Sequence, residues 1–252
     1  MPKLTRDGVA IHFEIHGEGP AILLSHGYSA TCRMWDGQIA AFKDRYKVIV
    51  WDMRGHGESD YPTDPAAYSE ALTAADMAAI LDAAGEPSAI AGGLSLGGYM
   101  TLAFHLRHPA RCRALMLFDT GPGFKKNEAR DAWNKRARDR GDDLDARGLA
   151  ALGASDEVRM SQHRSAAGLA GAARGMLTQE NDGAIRSLET IAVPTLVLVG
   201  ANDTNFLAAT DYMAAKIPGA KKAVIPDAGH AANLHQPAAF NRAMGDFLSG
   251  LG

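Results

Sequence analysis

The chain has 252 residues, 46% of them hydrophobic, and its 26 basic and 29 acidic side chains leave a formal net charge of −3. That is length and apolar content for one large domain with a full core, and the lack of a basic footprint argues against a nucleic-acid partner. No apolar run approaches a membrane span, residues 1–7 carry no apolar targeting core, and two distant cysteines, Cys32 and Cys112, suit reduced thiols in a cytoplasmic protein better than a disulfide framework.

In chain order, residues 9–16 alternate as a strand does, and 21–25 form a short apolar run that ends at His26-Gly27. Residues 46–51 (YKVIVW) predict a third strand, rich in β-branched side chains. Over 68–84, Leu72, Ala75, Ile80 and Leu81 recur at roughly helical spacing, with Gly85 as a stop signal. A strand over 88–92, a helix over 97–107 ended by Pro109, and a buried strand over 113–118 (RALMLF) follow. Continuous apolar runs alternating with helices predict a parallel sheet covered on both faces.

The pattern then breaks. Residues 121–186 open on a stretch dense in charges of both signs and continue rich in Ala, Gly, Arg and Met, without strand-like runs. The expectation is a helical cap inserted into a core formed by 1–120 and 187–252, its mixed charge marking solvated helix faces. The core pattern resumes with a strand over 193–199, a helix near 206–216, a strand over 220–225 and a closing helix over 237–248.

The most informative segment is Gly93-Leu94-Ser95-Leu96-Gly97, which follows a strand and opens a helix. A serine there sits on a sharp strand-to-helix turn that lifts its hydroxyl clear of the backbone, and glycine on each side leaves room a Cβ would fill. A serine hydroxyl needs a base, and the base needs a third group to fix its tautomer. His230, preceded by Gly229 and lying just past the last strand, is the predicted base. Asp203, just past the strand over 193–199, is the predicted acid, with Asp119 as its rival at the end of RALMLF. The order Ser95, Asp203, His230 is the one expected of a serine elbow on an α/β sheet. The N–H groups of Leu96 and of Tyr28, in the turn after the strand over 21–25, are the predicted oxyanion donors.

Other candidates point elsewhere. The segment Asp52-Met53-Arg54-Gly55-His56-Gly57-Glu58-Ser59 lacks the third glycine of a dinucleotide loop and the lysine of a P-loop; an Asp–Arg pair bracing a turn is expected instead. His105 and His108 lie three apart without a third ligand, so no metal is expected, and no cofactor. Met34, Trp35, Met160 and Met176 are read as packing residues, some of which could wall a substrate pocket.

Taken together, His26-Gly27-Tyr28, the segment from Asp52 to Ser59, Gly93-Leu94-Ser95-Leu96-Gly97-Gly98, Gly200-Ala201-Asn202-Asp203 and Gly229-His230 resemble the α/β-hydrolase superfamily. Within it the chain is most similar to 3-oxoadipate enol-lactonase-like hydrolases and small bacterial carboxylesterases, through Gly-Leu-Ser-Leu-Gly-Gly and Gly229-His230-Ala231-Ala232-Asn233. The resemblance implies an eight-stranded, mostly parallel sheet with a helical cap after strand six. It also implies a serine hydrolase that cleaves a small ester or lactone through an acyl-enzyme, as a monomer or homo-oligomer. Ser95 argues against the relatives that use an aspartate nucleophile on epoxides or carbon–halogen bonds. Ala231 after the histidine weighs against carbon–carbon hydrolases of aromatic ring-fission products, which usually carry tryptophan there, but such a hydrolase stays as an alternative, with a cofactor-free perhydrolase and a non-catalytic ligand-binding member of the fold. An anionic enol-lactone would call for a cap arginine, with Arg33, Arg136, Arg164 and Arg174 as candidates.

Overall fold

The computed structural model describes residues 3–251. Eight strands, β1 (Lys3–Arg6), β2 (Val9–His16), β3 (Ala21–Ser25), β4 (Lys47–Trp51), β5 (Ala89–Leu94), β6 (Cys112–Phe118), β7 (Thr195–Gly200) and β8 (Lys221–Ile225), form one sheet in the order β1-β2-β4-β3-β5-β6-β7-β8. The β1–β2 and β2–β4 pairs are antiparallel, and every pair from β4 to β8 is parallel. All residues of β3, β5 and β7 are buried, as a sheet clad on both faces requires.

Among the described residues, ten α-helices clad the sheet or form its insertion. They are α1 (Asp36–Phe42), α2 (Glu70–Ala83), α3 (Leu96–Arg107), α4 (Asn127–Arg147), α5 (Asp156–Arg159), α6 (Ala166–Ala172), α7 (Gly183–Ser187), α8 (Leu207–Lys216), α9 (Ala232–His235) and α10 (Pro237–Ser249). Because side chains alternate along a strand, β3 sends Leu23 into one core and Ile22 and Leu24 into the other. The first core holds Met77, Ile80 and Leu81 of α2 with Met100 and Phe104 of α3. The second holds Ile39 and Phe42 of α1 with Phe240, Met244 and Phe247 of α10. No helix among the described residues is long and apolar enough to cross a membrane.

Between β6 and β7 the described chain is helical and irregular, holding α4 to α7. Helix α4 packs on α6 and on the π turn Ala173–Leu177, and Leu144, Leu169 and Ala170 make a small core of their own. A ridge of glycines seats this unit on the sheet domain. A Cβ at Gly168 would lie 2.3 Å from the Tyr61 ring, at Gly171 2.6 Å from the Tyr68 ring, and at Gly175 2.1 Å from the Tyr68 carbonyl oxygen.

Candidate active site

Ser95 joins β5 to α3 at φ 55°, ψ −115°, a backbone region that costs an L-residue energy and persists only when its surroundings enforce it. Three bonds do so. Its N–H donates to Phe118 O at 2.9 Å, and its carbonyl accepts from Tyr99 N–H at 3.1 Å and from the Thr120 hydroxyl at 2.6 Å. The flanking glycines are steric necessities: a Cβ on Gly93 would stand 2.3 Å from the Gly97 carbonyl carbon, and one on Gly97 2.1 Å from Ser25 O.

Asp203 and His230 converge from the loops after β7 and β8. His230 Nδ1 lies 2.7 Å from Asp203 Oδ2, with the carboxylate buried, which leaves Nε2 as the nitrogen able to take a proton. Asp203 could have capped α8, but the N-cap of that helix is Phe206. The Phe206 ring stacks on the His230 imidazole, centroids 5.1 Å apart and planes at 22°. Burial alone would push the His230 pKa down; the hydrogen bond and charge of Asp203 outweigh it and raise the pKa above the ordinary imidazole value.

The rival acid takes a different place. Asp119 Oδ1 accepts from Gly200 N–H at 2.7 Å, and Oδ2 has no partner among the described residues. Burial, against the pull of that N–H, raises its pKa to about 8. The structure brings Asp203, and not Asp119, to the histidine.

Ser95, His230, Tyr28 and Leu96 border one cavity of about 590 Å3. No hydrogen bond joins the Ser95 hydroxyl to His230 in this structure; catalytic hydrogen bonds of this kind tighten as substrate binds. Leu96 is the first residue of α3, so its N–H has no intrahelical acceptor. The N–H of Tyr28 is likewise without an acceptor among the described residues. Two unpaired donors beside a raised hydroxyl are what a developing oxyanion needs.

The cavity roof comes from the insertion. Trp133, Arg136 and Arg140, spaced three and four apart on one face of α4, line it. Neither arginine forms a salt bridge among the described residues, while other charges of this region pair off: Lys135 with Asp139, Arg147 with Asp143, Arg174 with Asp142 and Asp145. The Arg140 guanidinium lies 5.2 Å from the centroid of the Tyr28 ring. Among the described residues, Glu157 is the one carboxylate along the cavity wall.

Several expectations need correction. Met34, Trp35, Met160 and Met176 do not border the cavity. The 3-10 turn Cys32–Trp35 turns Met34 and Trp35 into the second core, where Trp35 meets Phe118 and Phe240 at 6.0 and 6.5 Å. Met176 is buried in the first core, and Met160 is exposed at the surface. Of the four candidate arginines only Arg136 reaches the cavity: Arg33 binds Glu14, Arg164 binds Ser59 O, and Arg174 binds its two aspartates. The residues 52–59 brace their turn differently too. Arg54 pairs with Asp76 at 2.7 Å, while Asp52 accepts the N–H groups of Cys32 and Glu58. His12, Glu14 and Cys32 gather ligand-type atoms, but the Arg33 guanidinium bonds Glu14 and approaches Cys32 Sγ at 3.3 Å, supplying the positive charge there.

Comparison with known proteins agrees with this architecture. The family model for the alpha/beta hydrolase fold matches residues 20–157. The chain is 30% identical to 3-oxoadipate enol-lactonase 2 of Acinetobacter baylyi, over 96% of this chain and 94% of that protein. It is 28% identical to a putative 2-succinyl-6-hydroxy-2,4-cyclohexadiene-1-carboxylate synthase of Bacillus subtilis, over 97% of each. Among solved structures it superposes on a thermophilic esterase from Thermogutta terrifontis, determined with malate bound, with a TM-score of 0.84 at 27% identity, covering 100% of this chain and 99% of that one. With the matched segment spanning more than half of its length, the chain belongs to the α/β-hydrolase fold family.

Proposed function

We propose that the protein is a serine hydrolase that cleaves a carboxylic ester or lactone of a small, carboxylate-bearing substrate through an acyl-enzyme. The observation that carries this is an elbow serine and an aspartate-held imidazole opening on the same cavity. Ser95 Oγ attacks the substrate carbonyl as His230 Nε2 takes its proton, and Asp203 holds the ring in the needed tautomer and stabilises the imidazolium. The N–H groups of Tyr28 and Leu96 receive the oxyanion, each donor contributing about 3 kcal/mol to the transition state. The tetrahedral species collapses, the alkoxide leaves with the proton from His230, and water attacks the acyl group with His230 again as base. A second collapse frees the acid and restores Ser95.

Arg136 and Arg140 supply the substrate's anionic end with partners: both are exposed on the cavity wall without a salt bridge among the described residues, and a guanidinium holds a carboxylate through charge-assisted hydrogen bonds. The names of the relatives support that class: an enol-lactonase, and an esterase solved with a dicarboxylate, malate. A fluorophosphonate probe tests the core of the proposal. Mass spectrometry of the labelled protein is expected to place one adduct on Ser95; an unlabelled Ser95 in folded protein rules the mechanism out. The charge preference is tested separately by comparing a monoester of a dicarboxylic acid with its neutral dimethyl counterpart. Arg136→Ala combined with Arg140→Ala is expected to raise KM for the anionic ester by about 10- to 100-fold, the equivalent of a lost charged hydrogen bond or two, with little change for the neutral one. Equal effects on both esters would remove the carboxylate from the substrate class.

A further inference from the structure

We infer that His163, contributed by the inserted helical unit, is a positioning residue that holds the Tyr28 N–H in place for the oxyanion. The inference rests on the serine-hydrolase reading above. It begins with the two residues around that N–H. A peptide unit is planar and trans, so whatever fixes the Gly27 carbonyl also fixes the direction of the Tyr28 N–H. Gly27 O accepts from His26 Nδ1 at 2.7 Å and from Ala30 N–H at 3.1 Å. On the other side stands Ser29, held at φ 59°, a backbone angle a serine keeps only under external constraint.

Two imidazoles provide that constraint. Ser29 N–H donates to His56 Nε2 at 3.3 Å, and Ser29 O accepts from His163 Nε2 at 3.0 Å. His163 is itself oriented by Gly57 N–H, which donates to its Nδ1 at 3.4 Å. His26, His56 and His163 form a column with ring centroids 4.9 and 5.7 Å apart. Each ring donates through one nitrogen and accepts a backbone N–H through the other: Met53 N–H on His26 Nε2, Ser29 N–H on His56 Nε2, Gly57 N–H on His163 Nδ1. That pattern requires three neutral imidazoles. Burial, ahead of the nearby Asp52 charge where it acts, keeps all three below the ordinary imidazole pKa. His26 and His56 belong to the sheet domain; His163 alone comes from the insertion. Without it the Ser29 carbonyl loses its partner, and the Ala30 N–H, which shares that planar peptide unit and bonds Gly27 O, is free to turn and to release the Gly27–Tyr28 peptide with it.

The test uses purified full-length protein, p-nitrophenyl acetate turnover and the rate of fluorophosphonate labelling. His163→Ala is expected to lower kcat and the labelling rate by about 10- to 100-fold, below the full loss of an oxyanion donor, with KM within about threefold. His163→Gln places an amide N–H near the Nε2 position and is expected to recover most of kcat. His163→Asn, whose amide reaches only the Nδ1 position, is expected to stay as low as alanine. Arg164→Met removes a neighbouring tie to the Ser59 carbonyl without touching Ser29, and is expected to leave kcat unchanged. An unchanged kcat in His163→Ala, a change in KM alone, or an equal loss in Arg164→Met would each overturn the inference. Should His163→Ala fail to fold, the contrast between His163→Gln and His163→Asn decides: equal rates overturn it. Absence of labelling in the wild type overturns the serine-hydrolase reading itself, a result distinct from all of these.

Discussion

Ser95→Ala is expected to remove turnover of p-nitrophenyl acetate almost entirely, a loss on the order of 10^6 in kcat as for other triad serines, while the fold survives. The asymmetry follows from how the position is built. The backbone bonds to Phe118 O, Tyr99 N–H and the Thr120 hydroxyl do not involve the Ser95 side chain, and alanine keeps the same Cβ in the same strained turn. Only the nucleophilic oxygen goes. Circular dichroism and thermal melting should match the wild type, and the fluorophosphonate adduct should vanish. Activity retained in mutant protein free of wild-type contamination would mean that Ser95 is not the nucleophile.

The second large effect is expected at Asp203. Asp203→Asn keeps the shape but offers an N–H where His230 Nδ1 needs an acceptor, which favours the wrong tautomer and costs about 10^4 in kcat in triads of this kind. Asp119→Asn should cost no more than a few-fold. Its carboxyl bonds Gly200 N–H and not the imidazole, and burial raises its pKa to about 8. The pH profile gives an independent check. His230 must be neutral to act as base, so kcat/KM should rise as pH passes its pKa, which lies above the ordinary imidazole value because of Asp203. In Asp203→Asn the two largest raising influences, its hydrogen bond and its charge, are gone while burial remains and only the weaker pull of Asp119 and Glu157 is left, so any residual activity should show its acid limb at lower pH. A large loss in Asp119→Asn with little in Asp203→Asn would transfer the acid's role between them.

These residues differ in how readily the sequence reveals them. The buried strands announce themselves as apolar runs, because a strand covered on both faces has no polar side to show. Strand β1, with Leu4 as its only apolar residue, sits at the sheet edge and carries no such signal. Ser95, Asp203 and His230 are legible because strand ends and turn glycines fix where a loop residue must stand. Met34, Trp35, Met160 and Met176 are not, since an apolar side chain near a site gives no indication of which way its backbone turns it. Arg140 was within reach: it lies four residues after Arg136, on the same face of a predicted helix. His163 was not, because its role depends on a carbonyl 134 residues away in the chain.

The glycine ridge at 168, 171 and 175 has a consequence for how this scaffold could change its diet. With its backbone pressed against Tyr61 and Tyr68, that half of the insertion tolerates no added bulk and offers no slack for swinging as a rigid door. Variation in what the chamber accepts is thereby channelled into the side chains facing it from α4, at 133, 136 and 140. There a single exchange alters size or charge without disturbing the seam beneath. Natural or laboratory diversification should concentrate its successful steps on that helix face and leave the three glycines alone.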